Sequence, residues 1–177
     1  FLGETYLEDL LRDEDYTILH PKDHSWSEQL RHYLSATHIL GPDGSPFHLV
    51  NFTGRSDLNV GVIQRRPGHA ANQMATQGTL FGIENINTLP HLGELWASAG
   101  SQRAGLSLLS EVKFSTLCTD LKKRGFINKN TKWKNLTKTQ MKAALLEHAK
   151  AADADQHQVE SASVSLAGFP RLADDTI

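Results

Sequence analysis

The chain has a single cysteine, Cys118, in 177 residues. One thiol excludes an intramolecular disulfide framework and a cysteine-rich zinc site, and it favours a reducing compartment. No apolar run approaches the roughly 18–20 residues of a membrane-crossing helix. No secretory leader pattern is present. An intracellular location, nucleus or cytoplasm, is therefore expected, with no membrane partner. The Walker loop, the dinucleotide fingerprint and the nucleophile elbow are also missing, which removes the commonest nucleotide-dependent and acyl-transfer motifs. There is no internal repeat. The chain starts at Phe1, so a fragment or processed product is expected.

What is present is a segregated charge. The formal net charge is only −2. Residues 1–30 carry eight acids and two bases, and residues 31–112 carry five of each. Residues 113–142 carry nine bases and one acid, Asp120. Half of all Lys and Arg thus lie in 30 consecutive residues, a block asymmetry that says more about partners than the overall balance does.

The spacing of apolar residues predicts a helix over 5–12, with Thr5 and Glu8 as a capping box. A second helix, about 26–36, starts at the Ser25–Glu28 box and buries Trp26, Leu30, Tyr33 and Leu34. "ATHIL", "FHLVNF" and "LNVGVIQ" read as three strands of an antiparallel meander. Residues 65–88 read as a long irregular excursion with a short helix from His69 to Ala75. "LPHLGELWASAG" reads as a short helix ended by Gly100. "LSLLSEVKF" alternates as a strand. A helix over 115–124 follows, capped by Ser115 and closed by Gly125, with Phe126 packing on Leu121. Thr137 and Gln140 then cap a helix over 138–151 that buries Met141, Ala144, Leu145 and His148. The Ala-, Ser- and Asp-rich tail from 152 reads as weakly structured. The expected fold is α+β: a small, mainly antiparallel sheet flanked by helices, spanning 1–114. A basic helix–loop–helix subdomain over 115–151 and a tail over 152–177 complete it.

Two constellations carry candidate chemistry. Glu111 and Lys113 lie two apart on a predicted strand, so both side chains leave one face. Asp57 precedes another strand. A carboxylate pair can hold Mg²⁺, which polarises a phosphodiester, and a neighbouring lysine can orient the attacking water. The stretches "GRSDLNVGVI" and "LLSEVKFSTL" resemble the core of PD-(D/E)XK nucleases over about residues 26–125. That resemblance implies Asp57, Glu111 and Lys113 as catalytic, Mg²⁺ held by Asp57 and Glu111, and Glu28 as a third carboxylate. The chain departs from the family pattern in lacking its Pro-Asp half and in the long separation of Asp57 from Glu111. A solvated strand edge is the bland reading of the same residues.

The second constellation is the basic segment. Lys122, Lys123, Arg124, Lys129, Lys132, Lys134, Lys138 and Lys142 surround Trp133. Cations neutralise phosphates with release of counterions, and an exposed Trp stacks on a base. The stretch over about 115–150 resembles SAP-type helix–loop–helix DNA-binding motifs, with a longer loop. A nucleic-acid partner, DNA or RNA, is expected. The alternative is a non-enzymatic interaction or scaffold module whose basic segment docks an acidic protein surface, the chain's own acidic N-terminus included. His20, His24, His32 and His38 fit no zinc spacing. Arg65, Arg66 and His69 form a possible anion-binding loop. Cys118 reads as a core thiol.

Overall fold

The computed structural model describes residues 1–97 and 108–155. Helix α1 (Glu4–Arg12) begins after Gly3, whose φ of 80° is left-handed, and no side chain caps it. Thr5 lies within the first turn, so the expected Thr5–Glu8 box does not form. Helix α2 (Trp26–Ser35) does start on the expected box: Ser25 and Glu28 bond each other's backbone N–H. Its buried residues are Gln29 and Tyr33. The Gln29 amide donates to the carbonyls of Pro21 and His24, holding the short 3-10 turn at Pro21–Asp23 against the helix. Trp26, expected in the core, is 81% exposed, and Leu34 is exposed too.

The expected meander is replaced by a parallel sheet. Strands β1 (His38–Pro42), β2 (Asn59–Ile63) and β3 (Asn85–Leu89) pair in the order β1–β2–β3, all parallel. "FHLVNF" is not a strand. It forms helix α3 (Pro46–Val50) and a 3-10 turn at Asn51–Thr53. Pro46 occupies the first turn, where its fixed φ and missing N–H suit a helix start. Phe47 and Val50, three apart, are the buried pair, a helical spacing within a run that also reads as an apolar strand. Helix α4 (Ala70–Leu80) makes the second crossover and is longer than expected. Two consecutive strand–helix–strand units give parallel pairing, because tight hairpins cannot join parallel neighbours.

An antiparallel pair follows. Strand β4 (Leu92–Ala97) pairs with β5 (Leu108–Val112), with Leu95 opposite Ser110 and Trp96 opposite Leu109. The helix expected around 89–100 is this strand. Pairing with β5 and burial of Trp96 override the local pattern; Gly100, its expected stop, lies outside the described residues. The fold is thus mixed α+β with a small antiparallel sheet, but its three-stranded sheet is parallel.

Helix α5 (Phe114–Lys123) is preceded by Lys113 without a side-chain cap, so the expected Ser115 cap is absent. Its far end closes as expected. Gly125 has φ 79°, and the Phe126 N–H returns to the Leu121 carbonyl at 2.9 Å. That left-handed residue lets the chain reverse and bury Phe126. Helix α6 (Lys138–Asp155) starts on the expected Thr137–Gln140 box. It buries Leu145 and Ala149, whereas His148 is exposed. Beyond Asp155 the expected tail lies outside the described residues.

Strand β2 separates two apolar clusters by alternation. Val60 and Val62 face Tyr33, Phe47, Val50, Met74 and Ile83, supplied by α2, α3, α4 and the turn before β3. Ile63 belongs to the other cluster, with Leu7 and Leu11 of α1, Leu117 and Leu121 of α5, and Trp133. The basic segment and the N-terminal helix therefore share one core. Gly61 marks the closest approach on that second side: a Cβ there would stand 2.6 Å from Leu40 Cδ1 and 3.2 Å from Phe126 Cζ.

Candidate nucleic-acid interface

Glu111 and Lys113 do leave the same face. Glu111 is 4% exposed. Its Oε2 accepts from Lys113 Nζ at 2.7 Å and from the Glu94 backbone N–H at 3.1 Å. The site depends on Gly93, where a Cβ would collide with the Glu111 carboxylate and stand 2.7 Å from Lys113 Cε.

Asp57 is not brought to this pair. It lies before β2, exposed, with both carboxylate oxygens on the fork of Arg55 at 2.8 and 3.0 Å. Those bonds from Arg55 hold its carboxyl below the usual range. Arg55 also donates to the carbonyls of Leu34 and Ala36, which fixes the turn to the end of α2. Glu111 lies near the other end of β2: its neighbour Ser110 donates to the Arg65 carbonyl, beyond the last residue of that strand. With strand residues rising about 3.3 Å each, Asp57 and Arg65 are on the order of 20 Å apart. Glu28, the expected third carboxylate, is exposed and caps α2, its pKa lowered by the hydrogen bonds from Ser25. Among the described residues no three His, Cys, Asp or Glu side chains are grouped to hold a metal. The Asp57–Glu111 pair does not fit Mg²⁺: each carboxylate has a local cationic partner, and they stand at opposite ends of a strand. The four N-terminal histidines form no ligand group either; His24 and His32 meet edge to face at 5.7 Å.

Within the basic segment two cations are paired. Lys113 holds Glu111, and Arg124 donates to Asp120 at 2.8 Å. Lys122 donates to the Thr131 carbonyl at 3.0 Å. That bond, with the Cys118 thiol on the same carbonyl, ties the loop at Thr131 back to α5. Lys123, Lys129, Lys132, Lys134, Lys138 and Lys142 are all exposed. None of these six forms an ion pair among the described residues. Lys138 and Lys142 are one turn apart on α6, hence on one face.

Trp133 is the correction within this segment. It is 6% exposed and belongs to the core cluster. Between two hydrated lysines, the one large apolar side chain turns inward, and the loop wraps around it. It offers no face for a base.

The acidic N-terminus does touch the basic segment, but through the loop backbone and Thr131 and not through the lysine ammonium groups. Glu14 accepts from the Asn128 backbone N–H at 2.8 Å and from the Thr131 hydroxyl. Tyr16 donates to the Phe126 carbonyl at 2.8 Å, and Tyr6 to the Lys134 carbonyl at 3.1 Å. Burial and the charge of Glu14 push the Tyr16 hydroxyl up to about 12. These contacts pin the loop backbone and leave the six ammonium groups in water.

Two clusters escaped the sequence reading. His91 Nε2 meets Asp120 Oδ2 at 3.1 Å, and Arg124 bridges Asp120 to Asn87. Burial pushes the Asp120 carboxyl up, but hydrogen bonds from His91 and Arg124 hold it below the usual range. The signal was Asp120 itself, the lone acid among nine bases. The second cluster is Asp43 with Arg65 and Arg66 at the carboxyl ends of β1 and β2. Asp43 is wholly buried. Arg65 Nε donates to its Oδ1 at 3.0 Å and to its carbonyl at 2.6 Å, and Arg66 Nε stands 3.8 Å from Oδ2. Burial raises the Asp43 pKa against the pull of both arginines. The expected anion loop at Arg65, Arg66 and His69 thus has its two guanidinium groups turned onto an internal acid. "PDG" reads as a turn, and nothing local marks its Asp as buried. Cys118 is buried as expected.

No helix among the described residues is long and apolar enough to cross a membrane. No protein-family model, curated protein or solved structure matches the chain.

Proposed function

We propose that the basic helix–loop–helix over 115–151, which shares its core with the N-terminal helix, contacts the phosphate backbone of nucleic acid through its lysines between 122 and 142. One observation carries this reading: six exposed lysines on α5, the following loop and α6 have no carboxylate partner among the described residues, although the chain as a whole is acidic. Unpaired surface cations release counterions from a polyanion, giving affinity that is salt-sensitive and indifferent to sequence. The buried Trp133 argues against base stacking, so phosphate contacts position the partner and base edges are not read.

The test is anisotropy titration of a labelled duplex with the parent chain and with the Lys123→Glu, Lys129→Glu, Lys132→Glu triple variant. The variant should lose most of the affinity while its thermal unfolding stays within a few degrees of the parent. Binding unchanged in the variant would refute the surface. The buried Trp133 also supports the alternative of an acidic protein partner, since charge without stacking serves any polyanion. Binding to polyglutamate but not to duplex at low salt would favour that alternative. The same titration with Mg²⁺ tests nuclease action: cleavage that requires Mg²⁺ and disappears in Glu111→Gln would establish it.

A further inference from the structure

Strand β1 is the outer strand of the parallel sheet. In a parallel ladder, alternate residues send both backbone groups to the same neighbour. The Asn59 N–H donates to the Thr37 carbonyl and the Asp43 N–H to the Ile63 carbonyl. With the register His38–Asn59 through Pro42–Ile63, Thr37, Ile39, Gly41 and Asp43 face β2. His38 and Leu40 therefore direct N–H and C=O away from the sheet, and Pro42 its C=O. None of these groups has a backbone partner on that side among the described residues.

A cavity of about 900 Å³ runs the length of this edge, lined by every residue from Thr37 to Pro42. It is also lined by Thr17, Ile18 and Leu19, and among the described residues no backbone hydrogen bond to these three occurs either. Two stretches with free backbone groups thus border one slot. Native proteins usually pair, cover or charge a sheet edge; this one lies in a groove with Leu7, Leu11 and Leu19 along it. The groove is acidic. Asp43 and Arg65 pair with each other, and the other charged linings are the Phe1 ammonium and four acids, Glu4, Glu8, Glu14 and Asp15. Glu8 also holds Arg12 at 3.1 Å, and Glu14 accepts from Asn128 and Thr131, so the acids still outnumber the cations along the slot.

We propose that this groove receives an extended basic peptide, which adds to β1 as a further strand and bonds the outward groups of His38, Leu40 and Pro42. Backbone bonds along the edge supply affinity, alternate side chains enter the apolar part of the slot, and the carboxylates select lysine or arginine. This inference is independent of the proposed nucleic-acid contact, which uses lysines outside the groove.

The probe is an acetylated, amidated peptide alternating lysine and valine, added to the full chain. Binding should weaken as salt rises, and the glutamate–valine counterpart should not bind. Methylating alternate peptide nitrogens should weaken binding about tenfold, the scale of one or two lost hydrogen bonds. The Glu4→Gln, Glu8→Gln double variant should weaken it about three- to tenfold. Amide exchange gives the decisive pattern: the His38 and Leu40 N–H groups should gain protection, while those of Ile39 and Gly41, already bonded to β2, should change little. Equal binding of the methylated peptide, or no gain at His38 and Leu40, would overturn the proposal. So would protection at these two amides that grows with protein concentration alone, since the edge would then belong to a second copy of the chain.

Discussion

Replacing Trp133 with alanine distinguishes a core residue from a stacking platform. An aromatic side chain of this kind buries about 150–250 Å². Trp133 is 6% exposed, so nearly all of that area is at stake. At about 25 cal/mol per Å² the upper limit is about 4–6 kcal/mol. Buried Phe or Trp truncations lose about 3–5 kcal/mol, and that range is expected here. For a chain of this length each kcal/mol moves the midpoint by about 2–4 °C, so a fall on the order of 6–20 °C should appear in thermal circular dichroism. Trp133→Phe should lose much less. Duplex and single-strand affinities, measured below the variant's midpoint, should fall together and modestly. An unchanged midpoint with a selective loss of single-strand affinity would refute the reasoning, because it would mean that Trp133 stacks on a base.

Gly61→Ala should lose about 1–3 kcal/mol by overpacking against Leu40, Leu89 and Phe126, seen as a lower urea midpoint with an unchanged slope. Lys113→Met should cost about 3–5 kcal/mol, because Glu111 is left buried without its counter-charge. Glu111→Gln should cost less, since Lys113 is 40% exposed and keeps contact with water; equal losses would contradict this. Asp120 has a folded pKa below its unfolded one, so its contribution is present above the ordinary carboxylate pKa and is lost as pH falls through the folded value. Asp120→Asn should therefore lose less stability than the parent between neutral pH and pH about 3; parallel losses in urea denaturation would refute that assignment.

The features legible in the sequence were those set by nearby residues. The Ser25–Glu28 and Thr137–Gln140 boxes start their helices as expected, and Gly125 closes α5 with Phe126 folded back. The features that escaped depend on distant partners. "FHLVNF" is apolar enough for a strand, and its place between two parallel strands, with Pro46 at the helix start, makes it helical. β4 is a strand because β5 lies beside it. Trp26 shares a face of α2 with the buried Tyr33, seven residues on, yet as the first residue of the helix it stands 81% exposed. At the candidate site, Glu111 and Lys113 met because two-residue spacing on one strand is local geometry. Asp57 did not join them because the parallel topology sends β2 away from it. Asp43 was illegible as a buried acid, and the His91 contact of the half-buried Asp120 was illegible too, since these partners, Arg65 and His91, lie 22 and 29 residues away.

The central proposal is that lysines with no ion pair among the described residues hold a phosphate backbone without reading bases. The most direct test is the slope of log Kobs against log salt for a duplex. Six phosphate contacts would give a slope of about −5, and the triple charge-reversal variant should flatten it by about 3. Two duplexes of unrelated sequence should give the same line. A slope near zero, or a variant line parallel to the parent's, would contradict the account.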